Sequence, residues 1–294
     1  MQPYIISTCS TADRTKEQFE QRDIRYVCFY FSLGGQEYQD DLGVSVPFDQ
    51  FYKRMVDGEM TKTSQPNTEQ FVEFFTPFLE NGQDIVHLCL SSGISGVINS
   101  AQVAKEILQE QYPDRKIYII DSLSASAGLG LFADKLADLI DAGYTVDEAA
   151  QWAMDHRLEM NHWFFTTDLT FFIRGGRVSK TSGFFGQMLG ICPLLNVNSE
   201  GKLIPRKKIR GKNRVIRETV DTMAALARNG TDYDGKCYIS NSACYEDARK
   251  LADLIEERFP KLNGKVEITS IGTTIGSHTG PGTVALFFWG KERE

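Results

Sequence analysis

Two apolar runs of strand length, separated by one helical pattern, do most to limit what this chain can fold into. Ile85 to Ser91 reads IVHLCLS and Lys116 to Asp121 reads KIYIID, both rich in apolar residues. Between them VINSAQVAKEILQEQY repeats its apolar positions at helical spacing. Strand, helix and strand in that order form a crossover unit whose strands lie parallel in one sheet. Further helical patterns follow. LGLFADKLADLIDAG, from Leu129, is stopped by Gly143, and another helix starts at Thr145 as N-cap, with Glu148 completing a capping box.

Beyond this the pattern changes. CPLLNVNSEGKLIPRKK carries two strand-like runs around Asn198, Ser199, Glu200 and Gly201, the residue chemistry of a hairpin turn. Helical patterns from Asn213 to Arg228 and from Cys244 to Phe259 flank the run KCYISN, and KVEITSIG and TVALFFWG add strands. A length of 294 residues exceeds one compact core, so an α/β chain of two lobes is expected. The first lobe, residues 1–162, should hold a mainly parallel sheet flanked by helices. The second, 163–294, should be α/β with a mixed or antiparallel sheet, and a ligand would sit at and behind the junction.

Composition removes several function classes. No apolar run approaches the roughly 20 residues of a membrane span, and MQPYIIST lacks the features of an export signal. A cytoplasmic location is therefore expected. A net charge of −7 gives nucleic acid and anionic membrane no general attraction. Six cysteines without a CxxC pair read as free thiols, mostly buried. His87, His156, His162 and His278 show no metal-ligand spacing, and neither GxxxxGKS nor GxGxxG is present. No metal and no cofactor are expected. Asp40 and Asp41 form a lone acidic pair in an expected turn.

Four segments of small and polar residues interrupt the apolar framework. SSGISG follows a strand and opens a helix, so it lies at the strand's carboxyl end, where ligands bind in open α/β sheets. There Ser92 and Ser95 offer hydroxyl donors, although Ser95 also suits a plain N-cap. KTSQP, expected as a turn between two helices and before an N-cap at Thr68, offers Thr63 and Ser64. FIRGGRVSK sets Arg174 and Arg177 around two glycines, where they would face an anion or simply solvent. IGTTIGSHTGPG, expected as a glycine-rich loop, places His278 as a donor to an anion, a catalytic base or a structural histidine. Hydroxyls without a nearby acid or base suit anion recognition better than attack on a bond. The run Arg206, Lys207, Lys208, Arg210, Lys212 and Arg214 is a solvated face or a docking patch for an acidic partner.

Together these segments resemble the DegV family, bacterial proteins related to the fatty-acid-binding subunits of fatty acid kinases. The likeness runs from STCSTAD (Ser7 to Asp13) through KTSQP, SSGISG, YIIDS, FIRGGRVS and ICPLLNVNSEGKL to IGSHTGPG. Cys9 stands where the family's TDS opening has aspartate, and Val97 and Ile98 stand where threonine and tyrosine commonly follow. The resemblance implies a two-lobed fold holding one long-chain fatty acid such as palmitate, stearate or oleate. Its carboxylate would meet Thr63, Ser95 and His278, with Ser64, Ser92 and Arg174 or Arg177 nearby. FFIRGG, GFFGQMLGICPLL and ALFFWG are the candidate tail contacts. The resemblance further implies a carrier, not catalytic alone, that presents its ligand to a separate ATP-dependent kinase subunit for acyl-phosphate formation. Arg206, Lys207, Lys208 and Arg210 would be the docking surface. No nucleic acid partner is implied, and transient membrane contact is compatible with this role. The alternatives are an enzyme acting on a small acyl or phosphorylated substrate through Ser95 and His278, and a lipid-responsive regulator.

Overall fold

The computed structural model describes residues 4–179 and 190–294. Strand β1 (Tyr4–Cys9) is wholly buried and pairs in parallel with β2 (Ile24–Val27) and β6 (Asp84–Cys89), while β7 (Ile117–Asp121) extends the sheet beyond β6. Helix α1 (Lys16–Gln21) links β1 to β2, and α4 (Val97–Gln111) carries the chain from β6 to β7. The predicted crossover unit is therefore present.

Alternation within these strands divides the core in two. Ile5, Ile85 and Ile117 pack with Phe71 and Phe75 of α3 (Thr68–Glu80) and Ala104 and Leu108 of α4. Ile6, Val86 and Ile120 point the other way, onto α5 (Ser126–Asp141). Both faces of the sheet are covered, which is why its strands read as apolar runs. All nine residues from Ser126 to Asp134 are buried, because α5 packs against β1 and β2 on one side and against a second sheet on the other.

That second sheet runs in the order β10-β9-β8-β13-β11-β12. Its strands are β8 (Met160–Phe165), β9 (Ile191–Val197), β10 (Leu203–Arg210), β11 (Tyr238–Asn241), β12 (Glu267–Ser270) and β13 (Val284–Trp289). Among the described residues only β11 and β12 pair in parallel in this sheet, so it is mixed. The expected lobe boundary after residue 162 falls inside β8, which pairs with β13 from Met160 to Phe165. Helices α8 (Lys212–Leu226) and α9 (Tyr245–Arg258) also pack on this sheet. The predicted hairpin joins β9 to β10: Asn198 N–H donates to Lys202 O at 2.9 Å, and Gly201 takes φ 72°, a left-handed value that suits glycine.

Sequence periodicity does not show a third sheet. β3 (Tyr30–Leu33), β4 (Gln36–Gln39) and β5 (Thr61–Ser64) form an antiparallel ribbon in the order β4-β3-β5. Helix α2 (Phe48–Val56) closes a small core of Phe31, Leu33, Phe51, Tyr52 and Met55 over it. KTSQP, expected as a turn, therefore contributes Lys62, Thr63 and Ser64 to a strand. Runs of four mostly polar residues such as TKTS carry too little alternation to reveal a strand.

Caps follow local chemistry. The capping box predicted at Thr145 and Glu148 opens α6 (Val146–His156). Asn67, not Thr68, caps α3, with Gln70 reciprocating. Gly96, not Ser95, is the N-cap of α4, although Ser95 Oγ accepts from Val97 N at 3.3 Å. The six cysteines are free; Cys28 and Cys244 are half-buried and the other four buried.

Candidate functional site

The segment IGTTIGSHTGPG is not a loop throughout. Residues Thr273–Thr279 form helix α10, which ends at Gly280 with φ 65°. This helix brings His278 to β5, where alternation turns Thr63 inward and Ser64 outward. Thr63 Oγ1 and His278 Nε2 stand 2.8 Å apart. The other ring nitrogen, Nδ1, is buried without a hydrogen-bond partner among the described residues. Burial, and then the positive charge of Arg177, push the His278 pKa down to about 4. At neutral pH the imidazole is uncharged.

Gly175 lies directly against this ring. A Cβ at that position would fall 2.4 Å from His278 Nδ1, so a side chain there would displace the imidazole. Gly175 follows α7 (Thr170–Arg174), and its carbonyl accepts from Arg177 Nη1. Arg177 Nε donates to Ile94 O at 3.3 Å, and burial holds the guanidinium below its usual range. Next to Ile94, Ser95 Oγ donates to Gln65 Oε1 at 3.3 Å, two residues from Thr63. Thr63, His278, Gly175, Arg177, Ile94, Ser95 and Gln65 thus form a closed ring of contacts drawn from four separate segments.

Ser91 holds the serine loop in shape. Its carbonyl accepts the N–H groups of Ile94 and Ser95, both at 3.1 Å. Its hydroxyl accepts from Gly93 N at 3.1 Å and donates to Gly201 O, in the β9–β10 turn, at 2.8 Å. A Cβ on Gly93 would meet Glu200 O at 2.5 Å, so the loop and the turn are in close backbone contact.

Thr63, Ser95, Arg177 and His278 all line one pocket. Its cavity volume is about 80 Å³. Leu90 and Ala125, just beyond β6 and β7, form one wall, and Phe164 and Phe287 of the second sheet form another. The rest of the lining is largely apolar and includes Phe29, Phe172 and Leu203. Inside it, His162 contacts Met160 O through Nδ1 at 3.0 Å and accepts from Ala125 N through Nε2 at 3.4 Å. Burial drives its pKa well down, so this histidine too is neutral.

Three expected site residues stand elsewhere. Ser64 is exposed on the opposite face of β5 from Thr63. Ser92 is exposed, and its N–H donates to Asp121 Oδ1 at 3.1 Å. Arg174 is exposed, stacked 5.3 Å over the Phe171 ring with Nη1 near Met60 Sδ, so Arg177 is the arginine that lines the pocket. The tail-contact segments contribute Phe172, and Ala285 with Phe287. Residues 183–189 of GFFGQMLGICPLL and Lys180 of FIRGGRVSK lie outside the described residues. In the basic run, Arg206 Nε donates to Asn196 Oδ1 at 2.8 Å, Lys207 pairs with Glu218 at 2.5 Å, and Lys208 and Arg210 are exposed on β10. β10 is the last strand of the sheet order.

Sequence reasoning missed Ser91, Gln65 and Gly175, whose roles depend on contacts between distant segments. It also missed the contact of Asp40, which lies just before the turn at Leu42 and Gly43, is 1% exposed and accepts from Thr273 Oγ1 at 2.9 Å. Among the described residues, no group of three or more histidine, cysteine or acidic side chains could hold a metal ion, and no helix is long and apolar enough to cross a membrane.

A family model described as "Uncharacterised protein, DegV family" matches residues 5–291. The chain belongs to the DegV family. A DegV domain-containing protein of Clostridium perfringens is 34% identical to this DegV chain over the full length of both. A solved structure of a stearic acid-binding protein from Eubacterium ventriosum superposes with TM-score 0.85 at 26% identity, covering 97% of each chain. A DegV lipid-binding protein of Thermotoga maritima superposes with TM-score 0.83 at 26% identity, covering 99% of each. The two-lobed α/β architecture expected from the sequence is the DegV architecture.

Proposed function

We propose that this DegV chain binds one long-chain fatty acid, of the size of palmitate, stearate or oleate, with its carboxylate at Thr63, Ser95, His278 and Arg177 and its tail in the apolar pocket. The observation that carries this reading is the closed ring of contacts linking those four side chains on the wall of a single apolar pocket. A carboxylate withdrawn from water needs several donors. If His278 Nε2–H donates into Thr63 Oγ1, the Thr63 hydroxyl proton is free to turn to the ligand. The Ser95 hydroxyl can turn from Gln65 in the same way, and the Arg177 charge lies close by. The tail supplies on the order of 10 kcal/mol of gross transfer energy at about 0.8 kcal/mol per methylene, much of it offset by ordering costs. Stearate binding by the Eubacterium ventriosum relative and lipid binding by the Thermotoga maritima relative support the same ligand class.

The protein acts as a carrier in the cytoplasm and catalyses nothing alone. Ser95 bonds Gln65 and His278 bonds Thr63, so the serine and the histidine do not form a nucleophile and base pair. Its ligand is presented to a separate ATP-dependent kinase subunit, which docks on Arg206, Lys207, Lys208 and Arg210. Leu203, at the start of the same strand, lines the pocket, which supports a link between the docking surface and the ligand. Native mass spectrometry of the purified protein should show one co-purified fatty acid; a protein that is empty and has no affinity for palmitate or oleate contradicts the reading. Charge reversal at Lys207 and Arg210 should abolish phosphorylation by the kinase and leave fatty-acid affinity unchanged, whereas unchanged phosphorylation removes the docking surface.

A further inference from the structure

Helix α10 spans seven residues, Thr273–Thr279, contains Gly276 and is flanked by Gly272 and Gly280. A helix so short, with glycine inside and at both ends, has little stability of its own. Its position is set by what grips it. Two buried carboxyl groups grip its first turn. Asp13, 4% exposed, accepts from Gly272 N at 2.9 Å through Oδ1 and from Ser126 Oγ through Oδ2. Asp40, 1% exposed, accepts from Thr273 Oγ1 at 2.9 Å and from Ser10 Oγ at 3.1 Å. Tyr52 adds a third hold, donating to Ile271 O at 2.7 Å.

The anchors come from every part of the fold. Asp13 and Ser10 follow β1, Asp40 follows β4, Tyr52 lies on α2, and Ser126 opens α5 and meets Ser240 of β11 at 2.9 Å. The approach is close. A Cβ at Gly272 would lie 2.8 Å from Asp13 Oδ1, and one at Gly276 2.5 Å from the Tyr52 hydroxyl. The groups that donate to Asp13 and Asp40 are hydroxyls and a backbone N–H, not cations. Burial without a countercharge pushes both carboxyl pKa values up, so these groups are costly to retain ionised. Apolar side chains would serve stability better. What the carboxyls supply is a fixed register at one end of α10, five residues and about 7.5 Å along the axis from His278.

We infer that Asp13 and Asp40 are positioning residues: they fix α10 so that His278 meets Thr63, and through that pair they set the preference of the pocket for a carboxylate headgroup. The inference rests on the fatty-acid reading above.

Palmitate and hexadecanol, which share a tail and differ at the headgroup, separate this role from a structural one. Affinities for both should be measured by calorimetry or probe displacement on wild type, Thr273→Val, Thr273→Ser and Asp13→Asn, with folding checked by circular dichroism. Thr273 is not among the pocket-lining residues, and the valine variant keeps its shape while removing the hydroxyl bonded to Asp40. The expected result is a fall of about three- to tenfold in the palmitate over hexadecanol preference in Thr273→Val and Asp13→Asn. Hexadecanol affinity should be unchanged, and Thr273→Ser should behave as wild type. An unchanged preference in both folded variants, or a parallel loss for the two ligands, overturns the inference. Wild type that binds neither ligand contradicts the fatty-acid reading itself, and the inference with it.

Discussion

Thr63 Oγ1 and His278 Nε2 meet at 2.8 Å although 215 positions separate them in the chain. The contact joins the small three-stranded sheet to α10. Replacing Thr63 by valine keeps the volume and removes the hydroxyl. Fatty-acid affinity should fall by about ten- to hundredfold, the worth of one hydrogen bond to a charged group. The melting temperature should shift by no more than a few degrees, since the residue is only half-buried on a short edge strand. Titration calorimetry with palmitate, paired with thermal denaturation, checks both.

His278 makes ligand-free stability depend on pH. Its folded pKa of about 4 lies below the ordinary 6.5, so the native state binds fewer protons than the unfolded chain between these values. The contribution is fully present above pH 6.5 and is lost as pH falls toward 4. At pH 5 the loss is about 2 kcal/mol. His87 and His162 are also held neutral by burial and add to the same slope. The comparison is therefore between wild type and His278→Gln. Denaturant unfolding at pH 7.5 and pH 5 should show wild type losing about 2 kcal/mol more than the variant.

Gly175 tests whether the placement of the imidazole matters. Its φ of −71° suits alanine, so the backbone has no objection to the change. The added methyl would meet His278 Nδ1 at 2.4 Å. Gly175→Ala should therefore fold normally, move His278 away from Thr63 and weaken fatty-acid binding about tenfold. Gly176→Ala is the control for a general loop effect: it is strained at φ 74° but meets no atom of the described residues within 4 Å. It should lose stability and keep its affinity.

The two arginines of FIRGGRVSK should behave differently. Arg177 lines the pocket and Arg174 stacks on Phe171 outside it. Arg177→Met should weaken fatty-acid binding about tenfold or more, as loss of a half-buried charge near the headgroup predicts. Arg174→Met should leave affinity within about twofold of wild type. Equal effects would show that the headgroup lies elsewhere.

Much of the architecture is legible in the sequence because it is locally encoded. IVHLCLS and KIYIID alternate between two covered faces, Asn198 to Gly201 suits a tight turn, and Thr145 with Glu148 completes a box within four residues. The site is less legible for the same reason. Thr63 and Ser64 look equivalent in KTSQP, and only recognition of β5 as a strand shows that one faces in and the other out. The glycines and threonines around His278 argue for a loop, yet Asp13, Asp40 and Tyr52 draw that stretch into a helix. Nothing local to Asp40 signals that its partner is Thr273, 233 positions away.

The most direct test of the account is a crystal structure of the protein with bound stearate. The carboxylate should lie about 2.5–3.0 Å from Thr63 Oγ1 and Ser95 Oγ, with the acyl chain running inward between Phe164 and Phe287. A carboxylate placed away from Thr63 and His278, or a pocket that remains empty at saturating stearate, would contradict it.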